Sequence, residues 1–146
     1  MEANGSRSTL GEGPVFSGLE TYRPQMLSIL RIFLGLLYLQ FGLSKYFGWP
    51  GAQPQNFAMM SLIGVAGLIE IFGSLLIVLG LWTREAAFII SGEMAVAYLL
   101  RRVLTGASFF PIVNGGNMEA LLSVLFLYFV FAGGGPWSVD AKRARA

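Results

Sequence analysis

The chain has 146 residues, of which 55% are hydrophobic and 12% charged, with ten basic against eight acidic side chains for a net charge of +2. Soluble domains run near 25% charged, so this balance and a mean hydropathy of +0.65 point to a single integral membrane domain. The absence of Cys and His excludes disulfides, thiolate nucleophiles, a self-held iron-sulfur cluster, a Cys- or His-ligated zinc and the usual haem ligand, and ten scattered cations leave no nucleic-acid footprint.

Residues 1–25 are polar, rich in Gly and Ser, and lack the basic start and short apolar core of a signal peptide. They read as a disordered cytoplasmic tail. Four apolar stretches follow, Met26 to Phe47, Phe57 to Leu81, Glu85 to Leu104 and Met118 to Ala132, each near the ~20 residues that cross a bilayer as a helix. All six prolines (Pro14, Pro24, Pro50, Pro54, Pro111 and Pro136) fall outside them, as helix interiors require. Aromatic residues gather at their ends, among them Tyr22, Trp49, Trp82, Phe110 and Trp137, in the manner of interfacial belts. Residues 26–140 thus form an all-α, antiparallel four-helix membrane bundle, and residues 141–146 a basic C-terminal tail. Arg7, Arg23, Arg84, Lys142, Arg143 and Arg145 lie on one side against Lys45, Arg101 and Arg102 on the other. That bias places both termini in the cytoplasm.

An ionisable side chain at the centre of a span costs at least ~2.5 kcal/mol, so it faces the bundle interior and takes a partner. Helical spacing supplies such a face in every span. Arg31, Gly35, Tyr38, Gly42 and Lys45 share one stripe of the first, and Gly67, Glu70 and Ser74 one of the second. Ala86, Ile90, Glu93, Ala97 and Arg101 share one of the third, and Glu119, Ser123 and Phe126 one of the fourth. Depth counted from the cytoplasmic ends puts Arg31 ~7 Å, Glu93 ~12 Å and Glu70 ~18 Å in, with Lys45, Arg101, Arg102 and Glu119 within ~6 Å of the outer end. Two clusters are expected: an inner one joining Arg31 to Glu93 below Glu70, and an outer one joining Glu119 to Lys45 and Arg101.

Each residue also has a purely structural role open to it. Glu119 follows Asn117, a natural N-cap, and suits the first turn of a helix. Lys45, Arg101 and Arg102 can extend to the interface, and Glu70 and Glu93 can bond between helices to set the packing. The glycines inside the spans let helices approach closely. Asn114-Gly115-Gly116-Asn117 reads as a turn whose amides could also hold an anion or a quinone carbonyl.

In order along the chain, Leu30-Arg31-Ile32 with Gly35-Leu36-Leu37, Phe41-Gly42-Leu43-Ser44-Lys45-Tyr46-Phe47-Gly48-Trp49, and Ile69-Glu70 before Gly73-Ser74-Leu75-Leu76 form a recognisable pattern. Leu79-Gly80-Leu81-Trp82-Thr83-Arg84, Glu93-Met94 with Ala97, Asn114-Gly115-Gly116 with Glu119, and Gly135-Pro136-Trp137-Ser138-Val139-Asp140 complete it. Together these resemble the DoxX family of membrane proteins over about residues 26 to 140. The resemblance implies a four-helix bacterial inner-membrane protein, similar to small membrane subunits of quinone-linked oxidoreductases. Where many relatives carry His before the first-span glycine, this chain has Phe41, so no imidazole stands there.

What the resemblance and the stripes together imply is a membrane subunit of a quinone- or quinol-linked redox system. Glu70 and Glu93 are its proton-exchanging catalytic carboxylates, and Arg31, Tyr38, Lys45, Arg101, Asn114 and Glu119 its substrate-binding residues. Quinone is the expected cofactor, with no haem, iron-sulfur or zinc site of the chain's own. The expected partners are the lipid bilayer, a redox protein holding a metal or flavin, and a second copy in a homodimer. A second reading, from another class, is a non-catalytic assembly partner or small solute transporter whose carboxylates hold the bundle together.

Overall fold

The computed structural model describes residues 16, 18–51, 58–105 and 108–146. Most of the tail expected over 1–25, and Phe57 at the start of the second apolar stretch, lie outside the described residues. A short 3-10 turn, Leu19–Tyr22, runs into α1, Arg23–Phe47. α2 is Leu62–Leu79, and α3 is Thr83–Tyr98, prolonged by a π-helical turn over Leu99–Val103. A four-residue α4, Pro111–Asn114, precedes α5, Asn117–Ala132, and the chain closes on a short α6, Val139–Arg143. Pro24 sits in the first turn of α1 instead of outside it, where a missing N–H costs nothing. α2 starts later than its apolar run because Ser61 caps it, its hydroxyl accepting the Gly64 N–H at 3.2 Å. Asn117 is the first residue of α5 and not its cap, a place taken by Gly116.

α1 and α2 run antiparallel, as their contacts show: Gly35 lies against Ile77 and Val78, and Gly42 against Ile71 and the Gly67 carbonyl. At the far end the Tyr46 hydroxyl donates to Gly64 O at 2.9 Å. A Cβ on Gly42 would stand 2.6 Å from Ile71 and 2.9 Å from the Gly67 oxygen, so this crossing needs glycine. α3 and α5 are likewise antiparallel, fastened by a reciprocal pair in which the Ser91 hydroxyl donates to Ser123 O at 2.8 Å and the Ser123 hydroxyl to Ser91 O at 3.1 Å. α2 also packs on α3, and the Tyr38 and Phe126 rings, 5.2 Å apart, bring α1 to α5. Leu34, Tyr38, Ile77, Ile90, Phe126 and Phe129 form the centre of the core.

The outer faces are apolar as well, with Phe33, Phe72, Phe88, Val124 and Phe131 exposed. α1 with its leading turn (Leu19–Phe47) and α2 are long and apolar enough to cross a membrane; α5 is apolar and shorter.

One end of the molecule is closed around Arg31, which is fully buried. Its Nε donates to Gly134 O at 2.8 Å, Nη2 to Trp137 O at 2.8 Å, and Nη1 to Val78 O at 2.6 Å and to Ile77 O. The expected pairing of Arg31 with Glu93 is therefore replaced by backbone acceptors. The last carbonyls of α2 lack the usual partners one turn on, Ile77 O taking the N–H of the Gly80 cap at 3.1 Å, and carry the negative end of its dipole, which suits a guanidinium. Gly80 ends α2 at φ +69°, and a Cβ there would meet Ser138 at 2.4 Å, so the C-terminal segment rests directly on this turn. Asp140 then caps α3 from outside: Oδ1 accepts the Trp82 N–H at 2.9 Å, and Oδ2 the Thr83 N–H and hydroxyl, both at 2.8 Å.

Replacing Arg31 with Met should lower the stability of the purified protein in detergent by at least ~3 kcal/mol, because several buried carbonyls lose a donor at ~1–3 kcal/mol each. Arg31→Lys should recover only part, since an ammonium lacks the five-donor fork. A Met variant as stable as wild type would remove Arg31 from this role. Burial raises the Asp140 carboxyl, but bonds from Thr83 and Trp82 and the charge of Arg143 outweigh it and hold the group below its ordinary range. The stabilisation is therefore complete above the unfolded value of about 3.9 and is lost as pH falls through the lower folded value. Melting temperature should drop more steeply below about pH 4 in wild type than in Asp140→Asn; parallel curves would exclude Asp140 from the acid response.

Candidate functional site

At the opposite end, a cleft of about 640 Å³ lies between α1, α2, α3 and the start of α5. This falls within the ~300–1,000 Å³ of small-molecule sites. Apolar side chains such as Leu62, Ile63, Val65, Ile69 and Ile89 make most of its wall, and Lys45, Glu70, Glu93, Arg101, Arg102 and Glu119 bring charge into it. α1 places Lys45 in its last turn, where a cation suits the helix dipole. From there Nζ donates to Glu70 Oε1 at 2.5 Å, with the two side chains 12% and 2% exposed. Glu70 Oε2 is buried and has no hydrogen-bond partner among the described residues. One helix over, the Tyr38 hydroxyl donates to Glu93 Oε2.

The rim is made by the π-helical turn and the start of α5. Arg102 donates to Glu119 Oε1 through Nη2 at 3.0 Å and Nε at 3.2 Å. Its Nη1 donates to Asn114 O at 3.4 Å. Asn114 holds the turn itself: its Nδ2 donates to Ser108 O at 2.7 Å and its Oδ1 accepts the Gly116 N–H at 2.7 Å. Its amide serves the local backbone, and Gly115 beside it lines the cleft.

The structure thus gathers Lys45, Glu70, Glu93, Arg101 and Glu119 in one cleft, with Tyr38 reaching it through Glu93. Arg31 is not among them. It lies fourteen residues from Lys45 on α1, ~21 Å along the axis. The expected pairing of Glu119 with Lys45 and Arg101 gives way to Arg102, and Glu70, expected above the Arg31–Glu93 cluster, takes Lys45. α2 begins at Leu62, which puts Glu70 only eight residues, ~12 Å, from the end where Lys45 emerges, and the long lysine side chain bridges that depth. Ala66 and Gly92, also in the wall, have no polar signal in the sequence. A second recess of about 340 Å³, at Trp82, Arg84, Glu85, Gly133 and Asp140, lies in the closed end, and its Asp140 carboxylate is already spent on the α3 cap.

An apolar exterior around buried charges, with membrane-length helices, defines a helical membrane protein with a polar-ended cleft. The chain belongs to the DoxX family, whose model matches residues 26–110. It is 45% identical over 129 residues to an uncharacterised protein of Haemophilus influenzae, covering 86% of this chain and 96% of that one. It is 24% identical over 140 residues to an uncharacterised membrane protein of Mycobacterium tuberculosis, covering 84% of this chain and 86% of the other. No solved structure matches it.

The pairing of Lys45 with Glu70 predicts a lopsided mutant cycle. Lys45→Met strands a buried carboxylate and should cost about 3–5 kcal/mol of stability, whereas Lys45→Met combined with Glu70→Gln should recover most of the loss. Equal melting of the single and double variants would show that the two side chains do not support each other.

Proposed function

We propose that this protein is the membrane subunit of a quinone- or quinol-linked oxidoreductase system, spanning a bacterial inner membrane four times with both termini in the cytoplasm. Lengths support four spans: α3 and its π-helical turn have 16 and 5 residues, ~30 Å together, and α5 continues into three glycines. The excess of Lys and Arg around the closed end, Arg84, Lys142, Arg143 and Arg145 among them, favours the cytoplasm for that side.

The observation that carries the redox reading is the cleft: apolar walls that end on the carboxylates of Glu70, Glu93 and Glu119, the Lys45 ammonium and the guanidiniums of Arg101 and Arg102, with the Tyr38 phenol held behind Glu93. A quinone headgroup fits this combination, being flat, lipid-soluble and of a size the volume accepts. When bound, it supplies a two-electron, two-proton couple, the electrons passing to or from a partner protein that holds a flavin or a metal. Glu70 and Glu93 each hold or release one proton. Lys45 offsets the charge of Glu70, and the Tyr38 hydroxyl orients Glu93. Arg31, expected beside Glu93 and among the substrate-binding residues, is committed to the closed end.

A bundle-holding, non-catalytic role has its own support, since Lys45–Glu70, Tyr38–Glu93 and Arg102–Glu119 each join two helical segments. Lipid extraction of gently purified protein should yield a quinone, and Glu70→Gln should lower quinone-dependent turnover by about 10²-fold or more. Protein free of quinone, together with full turnover in the Gln variant, would decide for the structural role.

A further inference from the structure

Glu70, which lines the cleft, carries a buried polar atom with no partner among the described residues. Glu70 is 1% exposed, Lys45 takes its Oε1, and Oε2 is buried with no partner among the described residues. A carboxylate in an ion pair is an acceptor only, so the missing group is a donor. Buried acceptors without one are rare and carry a full desolvation cost.

A second observation concerns the wall beside it. Glycine within a helix is less stable than alanine, and at Gly35, Gly42, Gly64, Gly67 and Gly73 a neighbour within 2.3 to 3.0 Å of an added Cβ explains it. Gly92 lines the cleft one residue before Glu93, and an added Cβ there would meet nothing within 4 Å. No atom of the described residues requires this glycine. What its missing side chain leaves is an open patch in a wall that Ala66 and Glu70 also line, at a rim where Leu62, Val65, Ile89 and Val96 are exposed.

Resting on the quinone reading above, we propose that the cleft selects the reduced, hydroxyl-bearing form of the headgroup, which enters from the bilayer between α2 and α3, lies against Gly92 and donates a hydrogen bond to Glu70 Oε2. The oxidised form presents carbonyls, which are acceptors, and an acceptor set against Oε2 is repelled. Oxidation removes two hydroxyl hydrogens as two protons and two electrons, the electrons going to the flavin or metal of the partner, and leaves the form that the site binds worse. Selection of the reduced form therefore also favours release of the product.

The test measures binding of three probes to the full chain in detergent without oxygen: a short-tailed benzoquinol, the matching benzoquinone and the dimethyl ether of the quinol, which has the ring but no donor. The quinol should bind roughly tenfold or more tightly than either other probe, as expected for a hydrogen bond to a charged acceptor. Gly92→Leu should weaken quinol binding at least about tenfold while the protein melts no lower than wild type. Should that variant fail to fold, Ala66→Leu on the α2 wall serves the same purpose. Equal affinity for quinol and quinone overturns the selection and leaves the quinone site standing. Quinol binding untouched by either Leu variant, including the case in which only the oligomeric state changes, overturns the placement against Gly92. Binding of none of the three probes overturns this inference and the quinone reading together.

Discussion

A guanidinium with no exposure to solvent, in a helix long and apolar enough to cross a bilayer, is the constraint around which this fold is built. Arg31 has five donors, and hydrocarbon offers no acceptor for any of them. The acceptors come instead from the last turn of α2 and from the glycine-rich turn after α5. One side chain of α1 thereby fixes where α2 must stop and where the chain must return. Once Gly134 and Trp137 are held, Asp140 falls at the N-terminus of α3 and caps it. The charge that would be costly alone becomes the point at which four helix ends meet.

The other end follows a different rule. There the charges face one another across helices, Lys45 with Glu70 and Arg102 with Glu119, and the helices stand far enough apart to leave a cleft. A closed end whose guanidinium is held by four backbone carbonyls and an open end with a spare carboxylate oxygen form a base beneath a site. Small residues work in both directions: Gly42 lets α1 and α2 touch, whereas Gly92 keeps α3 from filling the space beside Glu93.

Much of this was legible from residue order. The polar stripes of α1, α2 and α3 pick out the residues that face the interior, because a period of 3.6 maps the chain onto helix faces without knowledge of the neighbours. Partners were less accessible. Assigning Arg31 to Glu93 treated charge as the natural partner of charge, whereas backbone carbonyls at a helix end satisfy a guanidinium equally well. Arg102, passed over as an interfacial side chain, is the one that holds Glu119, since the widened turn after Tyr98 shifts which of two adjacent arginines faces α5.

By itself, then, the sequence determined that this is a helical membrane protein, which residues its interior holds, and that any redox work must run on carboxylates, Lys, Arg or Tyr with a borrowed carrier. Those properties are set by composition and by periodicity within single helices. Tertiary structure alone decided that Arg31 is a structural anchor, that Lys45 and Glu70 form a pair, that one buried carboxylate oxygen is left without a partner among the described residues, and that Gly92 borders the cleft. Each depends on the register between helices, which is set by a Ser61 cap, a Gly80 stop and contacts between residues far apart in the chain.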